Sequence, residues 1–438
     1  MNGRSDHGAA SAGASHDALT QAALTASDQG FVVHLHPTRV TERALRPTTT
    51  LGLGLICLAL LALLTLSGGL LMLDFVPALE RAYASVLDIE YVVPFGHLVR
   101  SVHRIAAHAL IATMMLHLWR VALTTAYVGR TRNWLIGLAL ATQVLALAWT
   151  GTLLPWDSSA YWATRIAAQA LAVVPACGPL AVTLLLGDGD VGPAALSRAY
   201  ALHVTLLPVV LLVFVTWHLW RLRRAGGLAR PSVIDEPTVP AWPHLVGREA
   251  LVLLITLTLV LALALAFGAP LGPPADPSSP QNPEKAAWYF LGLQELVGYS
   301  RATGALWLVL YASLLAALPF GDRDTAGAGC WLTPVAARRD LGAALFLTLL
   351  VLFGLSAGLV RAAADAGAWQ EVVNPGTASL ALATLGGGTL AVRRGARTGL
   401  RLALLVLTTA LVLFTVLGAW RGVDWQLGLP WQEARGGL

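Results

Sequence analysis

The sequence predicts an all-α polytopic membrane protein. Three observations lead there. The chain of 438 residues is 56% hydrophobic and only 12% charged, too apolar for a soluble domain of this size. Apolar stretches of membrane-spanning length recur along it, separated by short connections that alternate in charge. And the stretch RSVHRIAAHALIATMMLHLWR, Arg100 to Arg120, is an apolar helix that nonetheless carries His103 and His117, fourteen residues apart.

Fourteen residues are close to four helical turns, so both imidazoles project from one face, roughly 21 Å apart along the axis. The stretch from Ser197 to Arg221 repeats the device with His203 and His218, fifteen residues apart, and both pairs end in His-Leu-Trp-Arg. A lone histidine in a membrane helix is ordinarily a packed or hydrogen-bonded residue. Four in matched pairs are better read as ligands, because polar groups in the hydrocarbon are costly and usually functional. Two facing helices would then clamp two metal centres stacked across the membrane, the arrangement that bis-imidazole ligation of haem iron needs.

In chain order, residues 1–46 are rich in Ala, Ser, Gly and Asp and form an N-terminal segment, partly disordered and cytoplasmic, with His34 and His36 as solvated side chains. A first span runs from about Pro47 to Leu73 with Gly54 and Gly68, and a third from about Trp134 to Leu154 with Gly137 and Gly151. Both glycine pairs are fourteen apart, the histidine interval. Glycines of membrane helices commonly serve close packing; the shared interval suggests notches at the two histidine levels where a flat macrocycle approaches the backbone. The histidine helices and these two make a four-helix bundle over residues 47–225.

Residues 74–98 and 155–197 carry acids against few arginines, whereas Gly129-Arg130-Thr131-Arg132 and the run from Arg221 to Arg230 are basic. The basic connections mark the inner face. The apolar run Ala163 to Val174 suits one surface helix on the outer face. A proline-rich linker, 226–248, leads to spans at about 249–268, 303–320 and 339–360, then a weaker one at 377–392 and a clear one at 399–420, nine in all. In the outer loop 269–302, Asn282 as N-cap, Pro283 and Glu284 predict a short helix from Ala286 to Val297.

The +5 formal charge is explained by arginines beside membrane spans, so no nucleic-acid partner is expected. Cys57, Cys177 and Cys330 form no Cys-x-x-Cys or Cys-x-x-Cys-His pattern, so the chain offers no covalent haem attachment of that kind and no iron–sulfur site.

The paired histidines, the glycine pairs, Leu154-Pro155-Trp156 and Trp288-Tyr289-Phe290 together resemble the cytochrome b subunit of cytochrome bc and chloroplast-type quinol oxidoreductases, over about residues 38–360. The resemblance implies an N-terminal four-helix dihaem bundle, three family-like helices at 249–360 that build the quinol site, and about two extra C-terminal helices in 361–438. It also implies two non-covalent b-type haems, one on His103 and His203 near the outer face and one on His117 and His218 near the inner. Arg100 and Arg120 pair haem propionates or act as snorkelling anchors. The resemblance further implies that quinol is oxidised at the outer face, and the wording NPEKAAWYFLGLQEL tilts the donor toward menaquinol. One electron goes to a Rieske iron–sulfur partner and on to a c-type cytochrome or similar acceptor, while the other crosses through the haems and both protons leave outward. The setting is a homodimeric complex in a bacterial cytoplasmic membrane.

Two departures stand out. Ala287 occupies the position where the family usually has an acid before Trp288 and Tyr289, so Glu295 or Glu284 is expected to replace it as proton acceptor, with Glu295 preferred. Gly52 stands where chloroplast-type proteins attach an extra haem through cysteine, so no such attachment is expected. A non-bifurcating dihaem anchor between quinone and a dehydrogenase remains compatible with the residues, and a haem-free transporter more remotely so.

Overall fold

The structure, a computed structural model, describes residues 38–46, 50–172, 174, 177–187, 190–224, 237–278, 286–320 and 375–420. The expected disordered segment up to residue 37, the start of the first span at Pro47, the cap at Asn282-Pro283-Glu284, Cys330 and the span at 339–360 lie outside the described residues.

Helices dominate, in the order α1 (Leu53–Asp74), α2 (Ala82–Tyr91), α3 (Gly96–Leu123), α4 (Thr131–Leu153), α5 (Ser158–Ala172), α6 (Gly178–Leu186), α7 (Pro193–Arg224), α8 (Ala241–Phe267), α9 (Trp288–Tyr299), α10 (Arg301–Ala317), α11 (Pro375–Arg394) and α12 (Ala396–Trp420). Among the described residues, α1, α3, α4, α7, α8 and α12 are long and apolar enough to cross a membrane; α10 is shorter, and α11 falls short in hydropathy. Their outward faces carry large exposed apolar side chains, such as Leu66 and Leu73 on α1 and Leu254, Leu265 and Phe267 on α8. Exposed rows of this kind suit lipid, whereas a water-facing surface rarely holds a large contiguous one.

The span α1 starts later than predicted because Leu51 and Gly52 both turn through the left-handed region. The expected linker is also partly structured. Residues Arg39–Thr41 (β1) pair antiparallel with Thr238–Pro240 (β2), and the Arg39 guanidinium donates to the Thr238 carbonyl at 2.8 Å. A clasp thus ties the segment before α1 to the start of α8, which begins at Ala241 instead of at about 249.

The two ends of the bundle differ. At one end, the C-terminus of α3 with Arg120, the N-terminus of α4, the arginines closing α7 and the turn between α11 and α12 at Gly395 come to the same face. Two contacts fix this register: the Trp134 indole donates to the Leu315 carbonyl at 2.7 Å, and Leu404 of α12 packs with Tyr127, Trp134, Leu315 and Leu318. The basic connections therefore share one face, as the charge rule requires.

At the opposite end, α2, α5, α6 and the first turns of α7 bury a small core around Ala82, Trp156, Tyr161, Leu186 and Leu196. Two helices stand where the sequence suggested one surface helix. The first starts early because the Asp157 carboxylate accepts from the Ala160 amide at 2.8 Å, an N-cap; the second opens on its own proline. The other Asp157 oxygen accepts from Gly272 N at 3.0 Å, Ser158 N donates to the Pro273 carbonyl, and Ala275 N to the Trp156 carbonyl. Loop 269–278 is thereby sewn to the Leu154–Ser158 segment. Beyond it, α9 packs on α12, where Gly418 lies against Leu291 and Gly292 against Leu411 and Thr415.

Asp157→Ala removes a helix cap and a loop anchor together, at a cost of about 1–3 kcal/mol. Hydrogen exchange should quicken at the Ala160 and Gly272 amides while those of α3 and α4 stay protected, and unchanged exchange at both amides would refute this account of the loop.

Candidate functional site

The helices α3 and α7 carry the two histidine pairs, and α1 and α4 pack against them. A Cβ added at Gly54 would meet His117 Cε1 at 3.5 Å, and one at Gly68 would meet His103 Cε1 at 3.1 Å. On α4, one at Gly137 would meet His218 Cε1 at 3.5 Å, and one at Gly151 would come within 2.5 Å of His203 Cε1. Each of the four glycines thus receives one imidazole edge. The sequence expected these notches to admit a macrocycle; in the structure they let a ring from the neighbouring helix reach the backbone, which explains why their interval copies that of the histidines.

Hydrogen bonds orient one pair further. His203 Nδ1 lies 2.9 Å from the Leu147 carbonyl, and a carbonyl only accepts, so Nδ1 carries the proton and Nε2 the lone pair. His103 Nδ1 lies 2.9 Å from Ser67 Oγ. That hydroxyl gives its proton to the Leu63 carbonyl at 2.7 Å, so it accepts from His103, and the same tautomer follows. At the second level His117 Nδ1 and His218 Nδ1 are buried without a hydrogen-bond partner among the described residues, the latter near the Asn133 carbonyl but outside hydrogen-bond geometry.

The unequal spacings have a local cause. Within α7 the segment Leu202–Leu206 is a single π-turn that contains His203. Pro208 follows it, and a proline cannot donate to the carbonyl four residues back. A π-turn absorbs one extra residue, so His203 and His218, fifteen apart, face the same way as His103 and His117, fourteen apart. Without it, the added residue would turn one ring by about 100°.

The rings of His103 and His203 face each other across the bundle, centroids 6.2 Å apart and planes at 71°. Two metal–imidazole bonds of about 2 Å, each with half a ring, would place centroids roughly 6 Å apart. Among the described residues no three His, Cys, Asp or Glu gather as a set for a bare metal ion. Two imidazoles that approach each other with Nδ1 committed and Nε2 free would suit haem, whose macrocycle would supply the other ligands, so the residues present fit that group.

Around this centre the other expected residues separate. Arg100 Nε pairs with Glu90 at 2.6 Å, and its Nη2 donates to the Ala269 carbonyl. It therefore ties α2 and the end of α8 to α3. Arg120 is buried at the basic end. Helix α9 begins at Trp288, two residues after the predicted Ala286, with Ala287 as a non-helical N-cap; Glu284 lies outside the described residues. Glu295 is flanked by Leu291 and Gly292, which pack on α12, so its neighbour is the C-terminal hairpin. Trp288 and Tyr289 turn instead to α3. The Tyr289 hydroxyl bonds Thr152, beside the Gly151 notch, and burial holds it above the usual tyrosine range, so it stays protonated. The Trp288 indole donates to His108 Nδ1 at 3.0 Å. The sequence reading missed His108; its signal was a third imidazole within an apolar span, off the face of the pair.

The pattern defining the family described as Cytochrome b/b6/petB matches residues 44–226, the four-helix bundle. The chain is 39% identical to the menaquinol:cytochrome c reductase cytochrome b subunit of Geobacillus thermodenitrificans over 37% of this chain and 73% of that one. It is 38% identical to cytochrome b6 of Prochlorothrix hollandica over 34% and 68%.

The chain belongs to the cytochrome b/b6 family.

Its relatives are subunits of oxidoreductases, and the family is one of b-type haem proteins. A solved chain of the hyperthermophilic respiratory Complex III has the same fold at a TM-score of 0.62 and 22% identity, covering 87% of this chain and 94% of that one. The fold likeness thus reaches well past residue 226, where the family pattern ends, as expected for a fused cytochrome b with further C-terminal helices.

The glycine distances grade a prediction. Gly151→Ala, forced against His203, should lower haem content or shift a midpoint potential, and Gly151→Leu or Gly68→Leu should do so more strongly. Gly54→Ala and Gly137→Ala, at ordinary contact distance, should be close to silent. Equal spectra and midpoints for all would show the notches to be packing devices only.

Proposed function

We propose that this cytochrome b is the dihaem subunit of a quinol oxidoreductase and moves electrons across the membrane between two b haems. His103 and His203 hold one, and His117 and His218 the other, roughly 21 Å away along the helix axes. The observation that carries the reading is the 6.2 Å facing of the His103 and His203 rings with both Nδ1 protons committed to α1 and α4. Haem supplies reversible one-electron transfer at each pair. The chain's residues do the rest: the Ser67 and Leu147 acceptors fix the tautomer and raise the donor strength of Nε2, the glycines let the rings sit deep between helices, and the apolar bundle excludes water.

The basic face is read as cytoplasmic, of a bacterial inner membrane, which puts His103, His203 and loop 269–278 outside. Quinol oxidation is placed there, where Trp288 and Tyr289 of α9 meet α3 and Thr152 of α4. The name of the Geobacillus relative favours menaquinol as donor and a cytochrome c as final acceptor. A Rieske iron–sulfur partner takes one electron, the His103/His203 level the other, and the protons leave outward. Residues 47–225 then form the haem half and 249–360 the quinol half, with 361–438 bracing α9 through α12.

Pyridine haemochrome analysis should give about two haems per chain. His103→Ala and His203→Ala should remove the same redox wave, and His117→Ala and His218→Ala the other. One haem or none in the intact protein, or waves that do not pair this way, would contradict the assignment.

A further inference from the structure

Oxidation of a quinol breaks two O–H bonds, and each proton needs an acceptor within hydrogen-bond reach, directly or through one water. Resting on the quinol reading above, we propose that His108 on α3 is such an acceptor at the outer site. The ring lies between α3 and the start of α9. Trp288 Nε1 donates to its Nδ1 at 3.0 Å, and the Tyr289 ring stands beside it, centroids 6.1 Å apart. An indole N–H only donates, so Nδ1 is the lone-pair nitrogen and neutral His108 carries its proton on Nε2. This is opposite to the tautomer of His103 and His203, whose Nδ1 atoms are the protonated ones. The ring also stands five residues from His103, about 140° around the helix, so it points out of the haem bundle. His108 is only partly buried and Trp288 is 41% exposed, which leaves the pair open to a lipid-soluble donor. Through Tyr289 and its Thr152 bond, the place adjoins the Gly151 notch that receives His203. Arg104, one turn earlier on α3, and Tyr289 are the titratable groups beside the ring.

The step balances. A quinol hydroxyl takes the position of the Trp288 N–H at Nδ1; its O–H bond breaks and an N–H bond forms as one electron leaves for the iron–sulfur partner. The imidazolium then releases the Nε2 proton to water at the outer face, and the ring returns in the other tautomer or regains its first through solvent. Entry at one nitrogen and exit at the other is a use of imidazole that no carboxylate shares.

The test is turnover of the assembled complex with a short-chain quinol and a cytochrome c acceptor, alongside dithionite-reduced haem spectra. His108→Gln should lower turnover about a hundredfold or more with both haem signals and midpoints retained, and His108→Glu should recover a measurable part. Full turnover in His108→Gln, with loss in Glu295→Gln, would overturn the proposal in favour of the carboxylate. A wild-type complex that holds two haems yet oxidises no quinol would overturn the quinol reading itself. Should the α3 variants lose haem, redox difference infrared spectra of wild-type protein carrying 15N-histidine decide the matter: an imidazolium band arising during quinol oxidation is expected, and its absence would overturn the proposal.

Discussion

Four imidazoles inside an apolar bundle are the constraint on which the rest of the structure depends. Each ring has two nitrogens, and each nitrogen left without a partner in such a medium costs free energy. The protein meets the cost for His103 and His203 by bringing α1 and α4 so close that Ser67 and Leu147 reach Nδ1, which is possible only where Gly68 and Gly151 remove the intervening side chain. The remaining nitrogen of each ring is then committed to the space between α3 and α7. At the second level His117 and His218 keep the glycine notches, and the Asn133 carbonyl is the backbone group beside His218. Donor strength follows the bond on the far nitrogen, so under the proposed function the Nδ1 partners of His103 and His203 would strengthen their hold on a haem iron.

The two ends of the bundle divide the remaining work. Arginines gather at one end, where α3, α7 and the α11–α12 turn finish or begin. The other end is built from short helices and the loop that Asp157 pins down. There α9 is held from two sides: α12 grips it through Gly292, Gly418 and Leu291, and α3 takes its first residues through Trp288 and His108. The C-terminal hairpin is therefore more than an appendage, since it fixes the back of the helix whose front meets the histidine bundle.

Much of this was legible in the sequence because it is periodic. The histidine and glycine intervals, read with 3.6 residues per turn, put the rings and the notches at the same two levels; that each notch takes a histidine edge was visible only in the structure. The π-turn was not legible, since fifteen residues also approximate four turns; only Pro208 beside His203 hints at the extra residue. Helix starts fared worse where side chains compete to cap. Asn282, Pro283 and Glu284 read as a start signal, yet the backbone at Ala287 is extended and α9 begins at Trp288. His108 escaped because a pattern search rewards the repeated interval and passes over the residue that departs from it.

Under the proposed function, paired histidines hold one iron at each of two depths. Anomalous diffraction at the iron edge on crystals of the purified protein measures this directly. Two peaks are predicted, one between His103 and His203 and one between His117 and His218; a single peak, or iron away from either pair, would contradict the account.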